Sequence, residues 1–523
     1  MEIGSTCDTI GHFPNRGSAE LFQKIFQQSN RLFLIIAAVY VALFLAIPHT
    51  ELVPADPGIK IIQVRDFIAS GFRSFQAAYP GAPADPALEF FPVKAPFAYI
   101  HEGAVYYVFP FFLTLLYTPF YLIGGVFGVT ILSLFAGLGC LALLIALGRR
   151  FALSPSAIFW MALCFAIGSS APLHSLMPGE MMLSAFSITA GVYFVIRGLD
   201  TANWRWYLLA GLCCGSSVFL RVGTALLGVL IFIAIVFWFG PRMRRDQALH
   251  VVSFGAGLGV FGLILIAANS AIVGEALGLR GIQVDQTVSP ATIGVRLQGY
   301  VTYYLFSCGG VGMFVAWPAL LFFLAAPFVL RKHAALACVV FPVVAVYCLA
   351  IPVLITINDG SIYGPRYLMP VQPLLTLLAF AVLDRLVFAH AGRRIAKMAV
   401  RGAVVYSMLW TVLATFTLIQ FNRYSRELNE RIAREADGTA VVLKSWDLYG
   451  SALALMRDRP VYAPAPETDH RAAIAACQRA GHSNISVIQF DGEQPADPPK
   501  NALGCPVWLP LQIEVVSAES LLK

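Results

Sequence analysis

Residues 359–370 read Asp-Gly-Ser-Ile-Tyr-Gly-Pro-Arg-Tyr-Leu-Met-Pro, a polar break between two long apolar runs. The break sets the guanidinium of Arg366 at the mouth of an apolar segment, flanked by Tyr363 and Tyr367. Charge at a bilayer boundary is costly unless it has a task or a route to water. A fixed cation there suits an anion, and a lipid-linked phosphate is an anion found at that depth. Other charged or polar residues interrupt the apolar runs in the same manner. Asp56 and Lys60 lie in Asp-Pro-Gly-Ile-Lys-Ile-Ile-Gln, the opening of an amphipathic helix. Lys94 stands between Pro92 and Pro96, in a stiff loop that would hold its ammonium in place. His101 and Glu102 follow it, and His174 precedes Pro178-Gly179-Glu180. Arg221 interrupts a long apolar stretch, where an arginine is by default a functional residue.

Each of these has a plainer reading. Asp is a good N-cap and Pro suits the first helical position, so Asp56-Pro57 could simply start a helix. Glu180 is favourable at a helix N-terminus for dipole reasons alone. Lys94 and Arg221 could snorkel to the headgroups, and Arg366 could anchor to lipid phosphate without doing chemistry. His174 reads as a loop or interfacial residue more than as a ligand, since no second histidine stands at metal spacing. No phosphate-binding loop, dinucleotide fingerprint or Ser-His-Asp arrangement is present. The glycines of Gly255-Ala-Gly-Leu-Gly259 fall inside an apolar run, where close helix packing explains them better.

The elements that must position these residues are membrane helices. The chain of 523 residues is 58% hydrophobic and 12% charged. Its mean hydropathy is +0.73. That balance excludes a soluble globular protein. The apolar runs reach the length of about 20 residues that a helix needs to span a bilayer core. An open sheet could not satisfy its backbone there. The net charge of +7 is carried in short loops and is not a nucleic-acid footprint. The first apolar run follows a polar segment and lacks a small-residue cleavage site, so no signal peptide is expected.

Basic clusters at Arg149-Arg150, residues 197–205, residues 242–245, Arg331-Lys332 and residues 393–397 orient the spans by the positive-inside rule. Threading the chain through them gives about eleven spans. Residues 1–31 are then cytoplasmic, 32–420 form the membrane domain, and 49–125 form a long first outer loop. Residues 106–124 are apolar enough to span, but counting them would put Arg149-Arg150 outside. They also contain Pro110 and Pro119, so they read as a helix lying at the outer interface. On this threading all the polar residues above fall on one membrane face.

Composition changes after Phe421. Short strands at 440–443 and 485–488 with an Ala-rich helix at 470–480 predict a small α/β domain over 421–523, on the same outer side. The fold class is therefore an all-α polytopic membrane protein with a small C-terminal α/β domain. Most of the ten cysteines lie in apolar runs as small hydrophobes. Cys477 and Cys505 lie in the tail, where an oxidising compartment would allow a disulfide.

Taken together, order, spacing and sidedness resemble the glycosyltransferase C superfamily. Within it the chain is similar to bacterial relatives of protein O-mannosyltransferases and lipid A aminoarabinose transferases, the family 39 type. The resemblance rests on four features over residues 32–420. Asp56 follows the first span and opens a helix. Lys94-Ala-Pro96 precedes the interfacial stretch 109–124. Residues 209–221 resemble the family's fifth span with Arg221 at its end. Tyr363-Gly-Pro-Arg-Tyr-Leu-Met-Pro370 resembles a late-loop motif. The first loop has Asp-Pro where many members carry paired acids, so no metal is assigned, although a divalent ion stays open. Pro-Gly-Glu stands where other members carry different acidic forms.

The resemblance implies transfer of a sugar from a polyprenyl-phosphate donor to an envelope glycan, lipid or protein. It implies catalysis on the periplasmic face of a bacterial inner membrane, with no nucleic-acid partner. It implies Asp56 as base for an inverting reaction, with Glu180 the next candidate. Arg366, Lys94 and Arg221 would hold the donor phosphate. Lys60, His101, Glu102, His174, Tyr363 and Tyr367 are further substrate-binding candidates. Two other readings stay open. One is a transporter or flippase of lipid-linked sugars, which should carry its charges near the bilayer midplane. The other is a non-catalytic envelope assembly protein.

Overall fold

The computed structural model describes residues 16–49, 56–95, 97–240, 243–279, 293–307, 310–355, 365–436, 438–444, 453, 455–464, 470–490 and 511–517. Asp359, Tyr363 and Cys505 lie outside them. Seven helices lead the chain: α1 (Arg16–Ala46), α2 (Asp56–Ala69), α3 (Phe111–Arg150), α4 (Pro155–Ala166), α5 (Ala171–Ser175), α6 (Glu180–Thr201) and α7 (Trp204–Leu220). Among the described residues, eight helices are long and apolar enough to cross a membrane, including α3, α6, Arg245–Val273 and Arg394–Glu435. Three further apolar segments expected to span are shorter: Pro155–Ala166, Trp204–Leu220 and Pro318–Val329. Pro155 opens the first of these, and Pro318 and Pro327 fall within the third, each lacking the N–H that a helix interior needs.

Residues 106–124 differ from the expectation in their first part. Tyr106 belongs to a hairpin of β1 (Ala98–His101) and β2 (Ala104–Tyr107), in which Tyr99 faces Tyr106. Glu102 and Gly103 make its two-residue turn with φ of +50° and +74°. A two-residue turn with both φ positive matches the twist of paired strands. The helix starts only after Pro110, which cannot donate to the ladder. It breaks at Gly124 and Gly125, the latter at φ +57°, ψ −142°. Only glycine takes that conformation without strain. The 13 residues before the break and the 25 after it are therefore separate arms of α3.

Helix α2 was expected to be amphipathic, yet it is buried from Pro57 to Phe67. The reason is that two cores enclose it. Ile61 and Val64 pack with Leu113, Tyr117, Val129 and Leu220 on the membrane side. Ile59 and Ile62 pack with Phe91, Tyr107, Ile432, Val441 and Leu443 on the other. The second core merges the first outer loop, the end of the Arg394–Glu435 helix and the C-terminal sheet. That sheet runs Val461–Tyr462, Ala440–Leu443, Asn484–Phe490 and Leu511–Ser517, the first three parallel and the last antiparallel. The composition change at Phe421 falls inside the 42-residue Arg394–Glu435 helix, and the first strand of this unit begins at Ala440. Cys477 is buried on the helix that packs on the sheet.

Helix α7 and the Arg245–Val273 helix pack backbone to backbone. A Cβ at Gly257 would lie 2.6 Å from the Leu208 carbonyl oxygen, and one at Gly211 would lie 2.1 Å from that of Phe254. Small residues allow this approach where lipid supplies no hydrophobic drive. Gly257→Leu is expected to force the helices apart and to cost about 1–3 kcal/mol. Thermal unfolding in detergent should show a lower midpoint, whereas Gly259→Leu, at a position with open space, should not.

Candidate functional site

Four segments distant in sequence bring charge to one place. They are the start of α2, the start of α6, the end of α7, and the turn after Pro365. On α2, Asp56, Lys60 and Gln63 fall at i, i+4 and i+7 and so share one face. Lys60 Nζ lies 2.5 Å from Glu180 Oε2, with both side chains about as dry as the core. It also sits 4.7 Å from the centre of the Phe109 ring. Arg221 caps the C-terminus of α7, in extended backbone at φ −156°. Its Nη1 lies 3.1 Å from Glu180 Oε1 and 3.0 Å from Met181 Sδ. Glu180 thus joins two cations while occupying the first position of α6, where the helix dipole favours a carboxylate.

Arg366 reaches Asp56 across 310 residues of sequence, with Nη1 3.0 Å from Oδ2. Tyr367 lies between the two guanidiniums, its ring centre 4.5 Å from Arg221 Cζ and 5.2 Å from Arg366 Cζ. Its hydroxyl accepts from Arg366 Nη2 at 3.3 Å. Its carbonyl accepts from Tyr347 at 3.0 Å. The cluster therefore holds three cations and two carboxylates, a net charge of one positive. In a low-dielectric setting that excess favours an anion. Asp56 differs from Glu180 in two ways. It has one cationic partner rather than two, and its side chain is 15% exposed against 4%.

His174 was expected in a loop or at an interface. Instead it is buried on α5, and its Nε2 has no hydrogen-bond partner among the described residues. Burial lowers its pKa to about 4; Glu180 opposes that shift, and Arg366, Arg221 and Lys60 reinforce it. The imidazole is thus neutral at neutral pH, held among the same charges.

Lys94 is not among them. Its Nζ donates to the Glu89 carbonyl, and its pKa is lowered by burial, with Asp85 and Glu89 acting in the opposite sense. Asp85 is itself a buried hub that accepts from Tyr79 Oη and from the backbone N–H groups of Glu89 and Phe90. The Pro-flanked loop that made Lys94 attractive thus serves the outer core. His101 and Glu102 sit at the turn of the β1–β2 hairpin, Glu102 exposed. Tyr363 lies outside the described residues.

Two residues of the cluster were missed. Tyr117, on α3, is fully buried, interacts electrostatically with Glu180, and has a hydroxyl without a partner among the described residues. Gln63 donates to the Phe109 carbonyl at 3.2 Å, and its Oε1 has no partner among the described residues. Gln63 was within reach of the sequence, since it shares the helical face of Asp56 and Lys60. Tyr117 was not, because nothing local separates it from a packing tyrosine. Among the described residues, no group of three or more His, Cys, Asp or Glu is placed to hold a metal.

No protein-family model matches the chain, and no curated protein matches it. Solved structures do. ArnT from Cupriavidus metallidurans bound to undecaprenyl phosphate is similar at TM-score 0.56 and 15% identity, over 88% of this chain and 92% of that one. The Archaeoglobus fulgidus oligosaccharyltransferase in its apo form is similar at TM-score 0.53 and 14% identity, over 88% and 69%. The same enzyme, AglB, in complex with an inhibitory peptide and a dolichol-phosphate gives 0.50 and 13%. The chain shares the overall fold of these two transferases.

Removing one partner of a buried pair leaves an uncompensated charge and costs about 3–5 kcal/mol. Glu180→Gln is expected to destabilise the protein by about that much, since it strands both Lys60 and Arg221. Asp56→Asn should cost less. Unfolding midpoints of the two variants in detergent check the order.

Proposed function

We propose that the chain is a membrane glycosyltransferase that moves a sugar from a polyprenyl-phosphate donor to an envelope acceptor, with inversion. The observation that carries this is the cationic cluster with a single less-buried carboxylate, assembled where helices begin and end. Arg366, Arg221 and Lys60 hold the donor phosphate; Lys94 has no part in it. The acceptor hydroxyl oxygen forms a bond to the anomeric carbon as the bond from that carbon to the phosphate oxygen breaks. The proton of the hydroxyl passes to Asp56, and the polyprenyl phosphate leaves with the electron pair, its growing charge met by the cations. Asp56 suits this role better than Glu180, whose two oxygens are each tied to a cation.

A flippase would want its charges along a broken helix at mid-depth. Here they gather at helix termini beside the outer core, which favours the enzyme. We assign the cluster to the periplasmic face of a bacterial inner membrane, because Arg149, Arg150 and Arg205 lie at the opposite ends of α3 and α7. The C-terminal sheet belongs to that same face, since Val441 and Ile59 share a core. A reporter fused at Lys523 should be active outside the cytoplasm; activity only inside would overturn the orientation.

The decisive assay uses purified protein with a polyprenyl-phosphate sugar. Asp56→Asn is expected to keep donor binding and to lose about 10²–10⁴-fold in turnover. Arg366→Ala should weaken both, by about 10²–10³-fold in turnover, because the phosphate is charged before and during transfer. Near-normal turnover by Asp56→Asn would reduce that residue to a helix start and move the base to Glu180. Phosphate stabilisation is assigned to side-chain cations, so activity should survive a chelator; loss that a divalent ion restores would add a metal to the reaction.

A further inference from the structure

The Arg394–Glu435 helix carries a polar stripe on its inner face, and the stripe changes character along its length. Ser407, Thr411 and Thr415 are buried, and each hydroxyl donates to the carbonyl four residues earlier, at 3.0, 3.1 and 2.8 Å. Thr411 also donates to the Ser169 carbonyl at 3.1 Å, just ahead of α5 and His174. Outward of these come Asn422, Ser425 and Asn429, with side chains 3%, 2% and 9% exposed. Their Oδ1, Oγ and Nδ2 atoms have no hydrogen-bond partner among the described residues. Ser425 could donate to a carbonyl four residues back, as its counterparts do, and does not.

A buried polar atom without a partner forfeits its hydration with nothing in return, so three in a row on one face are not neutral packing. The row lies between two apolar anchors of the same helix. Ile419 packs on the membrane core. Ile432 packs on the outer core with Ile59 of α2. From Thr411, at the level of α5, Asn422 lies about 16 Å further out, and the row itself spans about 10 Å. Its far end therefore approaches α2, since Ile432 shares a core with Ile59. The helix's charges lie on its other faces: Arg423, Arg426, Glu427 and Glu430 are exposed, and Arg431 pairs with Glu435.

We propose that Asn422, Ser425 and Asn429 form a subsite for the hydroxyls of a neutral sugar. Two amides and a hydroxyl offer both donors and acceptors and no charge. That set matches a polyol, not a phosphate or a cation. The row is long enough for more than one sugar ring. Whether the ring belongs to the donor or to the acceptor rests on the function proposed above; the subsite itself rests on the unpartnered row.

The test uses full-length protein in detergent and a set of neutral methyl hexosides and pentosides, titrated by saturation-transfer NMR. At least one glycoside is expected to bind the wild type and to bind Asn422→Leu/Asn429→Leu at least about tenfold more weakly, the loss of two hydrogen bonds. The double variant should also melt higher, because apolar groups replace unpartnered amides. Ser425→Ala, which changes little volume, guards against misfolding and should weaken the same glycosides less. No binding to the wild type, or equal binding by all three proteins, overturns the subsite. Sugar-free undecaprenyl phosphate is titrated in parallel. Its affinity should be unchanged in the double variant, and its failure to bind the wild type counts against the proposed function and not against the subsite. Glycoside binding that saturating polyprenyl-phosphate sugar abolishes assigns the row to the donor's sugar. Binding that persists assigns it to the acceptor.

Discussion

The Glu180 carboxylate, sealed between Lys60 and Arg221, is the constraint around which the rest is arranged. Taking three charges out of water is expensive, and mutual attraction offsets it only when the geometry is close and complete. Completion requires the ends of α2, α6 and α7 to meet within hydrogen-bonding distance. It fixes the depth at which α2 lies and the direction from which Arg366 must arrive. The second pair, Asp56 with Arg366, then closes over the first through the ring of Tyr367. A purely structural solution would have used apolar residues at these positions at no loss of stability. The cluster keeps an excess of one cation.

Helix α2 explains why so small an element can carry this arrangement. It is enclosed by two cores at once, one continuous with the membrane helices and one with the outer loop and the C-terminal sheet. The sheet is therefore not an appendage. Phe90 of the first outer loop accepts from Ala463 at the edge of that sheet, at 2.8 Å, and Val441 touches the same cluster as Ile59. Ile59, which lies between Asp56 and Lys60 on α2, thus packs in the same core as the α/β unit.

The contrast along the Arg394–Glu435 helix follows from the surroundings of its two halves. In the inner half, hydroxyls turn back to their own helix, the usual resolution where water is absent. In the outer half, one atom each of Asn422, Ser425 and Asn429 is buried without a partner among the described residues. Two stretches of one helical face thus answer the same requirement differently.

Composition and apolar run length determined by themselves that the chain is a bundle of membrane helices, because lipid permits few other backbones. Local pattern also placed strands at 440–443 and 485–488 and drew attention to Asp56, Arg221 and Arg366, whose charges interrupt apolar runs or begin helices. Gln63 was legible through its spacing from Lys60. What the sequence could not decide was which charges meet. Lys94 looked like the fixed cation and proved to serve Glu89 and the outer loop, while Lys60, one turn from Asp56, reached Glu180. Tyr117 was indistinguishable from a packing residue, and His174 read as a loop residue, until α5 and α3 were set against α6. Pairing across 120 residues for Lys60 and 310 for Arg366 is a property of how helices pack, and no local periodicity encodes it.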